Sequence, residues 1–81
     1  MEEKAESFNV FPNPANDFLN IEFDSNNSRI ISLTNITGQN VIEIASDDSN
    51  IKLNLDKLNS GIYLLVINEG NKVLTKKIIV Q

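Results

Sequence analysis

The stretch Gly61-Ile62-Tyr63-Leu64-Leu65-Val66-Ile67 limits the possible folds more than any other. Five of its seven residues are aliphatic, with no polar residue between them, and Ser60-Gly61 and Asn68-Glu69-Gly70 bound it. An apolar run this short reads as a strand buried on both faces, not as a helix. Every other element has to find its place around it.

The preceding residues sharpen the reading. Tyr63 follows Leu58-Asn59-Ser60-Gly61-Ile62. In immunoglobulin-like sandwiches a tyrosine near the start of the penultimate strand returns its hydroxyl to the backbone a few residues upstream, and this spacing fits such a corner. The disulfide that accompanies the corner in antibody domains is missing, because residue 65 is Leu and the chain has no Cys.

The rest of the chain supplies six more short strands. Phe8-Asn9-Val10-Phe11 is the first, stopped by Pro12-Asn13-Pro14. These two prolines lack backbone donors and push Phe11 and Asn13 toward extended conformations. A strand ended this way lies on a sheet edge or switches sheets. In Phe18–Phe23, Leu19, Ile21 and Phe23 alternate with Asn20 and Glu22, the pattern of a strand with one wet face. Arg29–Thr34 puts Ile31 and Leu33 on one face and Ile30 on the other.

Asn35-Ile36-Thr37-Gly38 reads as a tight hairpin connection with Gly38 in a positive-φ bulge, and Ile36 there is expected to fold back on the core. In the strand Gln39–Ile44 the pattern does not decide whether Val41 or the pair Ile42 and Ile44 faces inward. Ala45–Asn50 reads as a loop and Ile51–Leu55 as a strand, with Leu58 expected to plug the end of the core. Glu69-Gly70-Asn71-Lys72 closes a hairpin onto Val73–Val80, where Leu74, Ile78 and Val80 share a face. The frequent Asn fits turns, since Asn tolerates left-handed backbone. Seven strands with turn signals about every 8–12 residues indicate an all-β, Ig-like antiparallel β-sandwich.

Composition excludes several function classes. At 81 residues the chain is one domain, with residues 1–7 a polar linker or upstream tail and 8–81 the folded part. A net charge of −4 and a pI near 4.5 argue against nucleic-acid binding, which needs clustered Lys and Arg. No apolar run approaches the roughly 20 residues of a transmembrane helix. Met1-Glu2-Glu3-Lys4 lacks the basic start and apolar stretch of a signal peptide, so the expectation is a piece of a longer chain whose export signal lies elsewhere.

There is no His and no Cys, and no Ser has a base nearby in sequence, so no catalytic group is expected. Asp47-Asp48, even with Asp56, do not make a recognisable loop for a hard cation, which needs about six to eight oxygens. Solvating turns explains them instead, and neither metal nor cofactor is expected. Pro12-Asn13-Pro14 has two readings, a docking motif and a strand terminator.

Four motifs then line up in one order. Phe11-Pro12-Asn13-Pro14-Ala15 comes first and Asn35-Ile36-Thr37-Gly38-Gln39-Asn40-Val41 second. Leu55-Asp56-Lys57-Leu58-Asn59-Ser60-Gly61-Ile62-Tyr63 leads into the central strand, and Lys76-Lys77-Ile78-Ile79-Val80-Gln81 is last. Together they resemble the type A C-terminal sorting domain of the type IX (Por) secretion system of Bacteroidota. The resemblance covers residues 8 to 81.

The resemblance implies a signal, not an enzyme. In that family the domain follows a cargo protein and is recognised, folded, by an outer-membrane translocon and its shuttle protein. A sortase-like cysteine protease then removes it, leaving the cargo at the cell surface or outside the cell after passage through the periplasm. The marked positions fall on Pro12, Asn13, Pro14, Gly38, Gly61, Tyr63 and Lys77. Phe11 stands where the family usually has Tyr, keeping the ring and losing the hydroxyl. Gly38, Gly61 and Tyr63 are expected to serve folding, and Pro12, Asn13, Pro14 and Lys77 recognition. The last strand offers an edge for strand addition. The alternative is an Ig-like adhesion or carbohydrate-binding module of an extracellular enzyme, and exposed aromatic rings would favour it.

Overall fold

The computed structural model describes residues 8–81, so the expected linker over residues 1–7 lies outside the described residues. Seven strands follow one another: β1 Phe8–Phe11, β2 Phe18–Phe23, β3 Arg29–Thr34, β4 Asn40–Ser46, β5 Asn50–Asn54, β6 Gly61–Glu69 and β7 Lys72–Val80. The first three have the expected bounds. β4 and β5 take up half of the expected loop between them, leaving Asp47–Ser49, and two residues separate β6 from β7.

Two antiparallel sheets form a β-sandwich. One has the order β1-β2-β5 and the other β4-β3-β6-β7. Period-two alternation turns one face of each sheet inward. Leu19, Ile21 and Phe23 of β2 and Leu53 of β5 meet Ile31 and Leu33 of β3, Leu65 and Ile67 of β6, and Ile78 and Val80 of β7. Ile42 and Ile44 are the inward pair of β4, and Leu58 packs at the core margin as expected. Burying one such aliphatic side chain is worth about 1.5–3 kcal/mol. This core, without disulfides, carries the fold.

The tyrosine corner is present. The Tyr63 hydroxyl donates to the carbonyl of Asn59 at 2.7 Å, and Tyr63 itself is buried.

Three expectations need correction. β6 is not buried on both faces: its inner face, Tyr63, Leu65 and Ile67, is covered, but Ile62 and Leu64 are 50% and 43% exposed. Its continuous apolar run reflects a central place in its sheet, with an outer face that nothing in the sandwich covers. Ile36 does not fold back; it is 82% exposed at the tip of the β3–β4 turn. The abundant Asn residues do not serve left-handed backbone, since no described residue other than Gly has positive φ. They use their amide side chains instead. Asn35 Oδ1 alone accepts from the Thr37 and Gln39 amides and the Thr37 hydroxyl, at 3.1, 3.0 and 2.8 Å. This fastens the turn locally.

At the end of the sandwich away from Tyr63, sequence reading missed a buried ion pair. Arg29 occupies an inward position at the start of β3 and is 2% exposed. Its Nε donates to Glu69 Oε2 at 2.6 Å, and Nη1 and Nη2 donate to the carbonyls of Asn27 and Ser25. Its guanidinium carbon lies 3.7 Å above the centre of the Phe23 ring. A cation is tolerated there because carboxylate, carbonyls and ring replace its water. The signal available in sequence was parity: Arg29 shares a face with Ile31 and Leu33.

Candidate functional site

β1 ends at Phe11 on the edge of the three-stranded sheet, and the chain then crosses to the other sheet. It does both things that a proline-terminated strand can do. Residues Pro12 to Ala15 run alongside the end of β7, and Ala15 bridges Val80 in parallel. The Ala15 amide donates to the carbonyl of Ile79 at 2.7 Å, and the Gln81 amide donates to the carbonyl of Ala15 at 2.8 Å. Pro12 and Pro14 have no N–H to offer, so the residue between them pairs through its side chain. Asn13 Nδ2 donates to the carbonyl of Lys77 at 3.2 Å, and Asn13 Oδ1 accepts from the amide of Ile79 at 3.1 Å. Ala15 is buried and closes this corner of the core.

This clasp changes the expected role of the last strand. β7 is an edge strand, but its outward carbonyl at Lys77, both outward groups of Ile79 and the amide of Gln81 are already paired. Strand addition there would have to displace the clasp. The prolines add no donors of their own, which keeps the new margin a poor template for another strand.

The remaining motif positions gather at the same end. Gly61 pairs with Val80 and Tyr63 with Ile78, so the start of β6 lies beside the clasped half of β7. The turn residues Asn35, Ile36 and Thr37 border one shallow surface hollow with Asn59, Ser60, Gly61, Ile62 and Tyr63. Gly38, in the same turn, has φ +91°, and its amide donates to the carbonyl of Asn35. No atom would crowd a Cβ at Gly38, so backbone conformation alone selects glycine. Lys77 is exposed on the outer face of β7, opposite Leu64.

Phe11 is the one marked position that turns another way. Its ring is exposed on the outer face of the three-stranded sheet, over a groove with Asn20, Glu22 and Lys52. Phe18 is exposed on that face too, but Lys52 Nζ already lies 4.1 Å from the centre of its ring.

Pro12 to Ala15, the β3–β4 turn, the approach to β6 and the end of β7 therefore gather at one end of the sandwich, although they come from four parts of the sequence. Asn13 ties the segment to β7 with one side-chain donor and one acceptor, a structural role that sequence reading had not given it. Among the described residues no group of acidic side chains has the arrangement of a metal site, and no helix is long and apolar enough to cross a membrane.

No curated protein matches the chain. A family model described as a secretion system C-terminal sorting domain matches residues 9–81, a span that includes every one of these motif positions. The chain belongs to the C-terminal sorting domains of the type IX secretion system, signals that direct a protein toward the cell surface or the extracellular space.

Proposed function

We propose that this domain is read, as a folded unit, by the outer-membrane translocon and its shuttle protein while its cargo passes through the periplasm. A sortase-like cysteine protease then separates it from the cargo. Sorting domains engage the type IX machinery and are not a catalytic family. The reading that this one carries no activity agrees with a chain lacking both His and Cys.

The observation that carries the proposal is the clasp. Asn13–Ala15 and Lys77–Gln81, which lie near the two ends of the matched span, are hydrogen-bonded to each other at one corner. In this reading Pro12, Pro14 and Lys77 contribute to the surface that is recognised. Asn13, Gly38, Gly61 and Tyr63 hold that surface in shape.

The test is export of a periplasmic fluorescent reporter carrying residues 1–81 at its C-terminus. The host is a bacterium that exports the same reporter on one of its own sorting domains. The expected result is reporter at the surface or in the medium, against periplasmic retention of the reporter alone. Retention of the fusion, with the domain folded, would overturn the reading. Deleting Lys76–Gln81 is a poor control, because it removes Ile78 and Val80 from the core. Lys77→Ala, which leaves every core residue in place, is the better one.

A further inference from the structure

The outer face of the four-stranded sheet differs from the rest of the surface. It exposes Ile30 from β3, Ile62 and Leu64 from β6, and Val73 and Ile79 from β7. Ile62 stands directly opposite Ile79, and Leu64 opposite Lys77. These four make a block of three aliphatic side chains around one ammonium group, beside the clasped end of β7. Contiguous exposed apolar surface of this kind marks an interaction site more often than scattered single residues do.

The distribution of charge says what would fit there. The domain is acidic, yet Asp17, Glu22, Asp24 and Asp56 belong to the opposite sheet or to the loops and turns. Glu69 is engaged by Arg29. Glu43 is the acid on this face, and it sits on β4, with β3 and β6 between it and β7. The block is therefore apolar and locally positive. The edge beside it is closed by Asn13 and Ala15, so a partner meets side chains there and not free backbone. The first described strand, β1, belongs to the opposite sheet. A second copy laid on the block would bring a second Lys77 into the interface and no carboxylate to meet either one.

We propose that the Ile62–Leu64–Ile79 block with Lys77 is a docking surface for a protein partner that presents an apolar patch bearing a carboxylate. Resting on the sorting function, that partner is the component of the secretion machinery that first holds the folded domain. Apolar contact supplies the affinity, and the Lys77–carboxylate pair fixes orientation and discriminates against other apolar surfaces.

The experiment uses the reporter fusion of residues 1–81 in four forms: parent, Ile62→Thr/Ile79→Thr, Lys77→Glu and Lys77→Arg. Threonine keeps the β-branched shape that a strand favours, so the sheet should persist. Thermal melting and sedimentation of the purified 81-residue chains accompany the export assay. The expected result is export reduced about tenfold or more by Ile62→Thr/Ile79→Thr and by Lys77→Glu, near-parental export with Lys77→Arg, and folded monomers throughout. A purely structural role for these residues would lower melting temperature together with export, and that result would overturn the proposal. So would parental export of both disruptive variants, or a parent dimer that Ile62→Thr/Ile79→Thr dissociates. Retention of the parent fusion itself is a different failure: the sorting reading falls, and this docking surface falls with it.

Discussion

The side-chain oxygen of Asn13 accepts the backbone amide hydrogen of Ile79 at 3.1 Å, across 66 residues of sequence. The amide nitrogen of the same side chain donates to the carbonyl of Lys77. One asparagine thus does for an edge strand what a neighbouring backbone would otherwise do, at a point where neither flanking proline has a backbone amide to offer.

Replacing Asn13 by Ala should free the Ile79 amide and the Lys77 carbonyl. The net cost is about 1–2 kcal/mol, since both groups then meet water. Hydrogen exchange checks it. The Ile79 amide should lose protection, while Ile67, in the middle of β6, keeps its own. Asn13→Asp retains the acceptor but sets a carboxylate against the Lys77 carbonyl, so it should restore less than half of what Ala removes.

Tyr63→Phe removes only the hydroxyl that donates to Asn59. The expected loss is about 0.5–1.5 kcal/mol. At roughly 4–8 °C per kcal/mol for a domain of this size, thermal unfolding should move down visibly without a change in fold.

Glu69→Ala leaves the Arg29 guanidinium buried beside Phe23 with no anion, held by the carbonyls of Asn27 and Ser25 and the Ser25 hydroxyl. Removing one partner of a buried pair costs about 3–5 kcal/mol, which in so small a domain threatens folding. Removing both should cost less. The double variant Arg29→Met/Glu69→Leu should denature at higher urea than Glu69→Ala alone, and a double-mutant cycle would give the coupling.

Gly38→Ala should destabilise by about 1 kcal/mol through its positive φ, without steric contact. The effect should be confined to the β3–β4 turn, readable as amide shift changes over Asn35–Gln39 and unchanged signals in β5.

What could be read from sequence was the local and the periodic. Leu19, Ile21 and Phe23 advertise their face because β-strand geometry has a period of two, and the tyrosine corner closes over four residues. The partners of Arg29 and Asn13 could not be read, because Glu69 and Ile79 come into range only when strands from distant parts of the chain take their register. Nor could the open face of β6. An aliphatic run has the same composition whether its second face meets another layer or solvent. Chain order likewise placed β7 on an edge but could not show that Asn13 and Ala15 would cover its last residues.

The clasp also orders events in time. A polypeptide made and threaded from its first residue presents Asn13 and Ala15 long before Lys77, Ile79 and Gln81 exist to meet them. The corner can close only once Lys77–Gln81 has been made, and a chain stopped before Lys77 has nothing to close it with. Under the proposed reading, recognition of the closed corner therefore selects chains whose upstream part has already been synthesised.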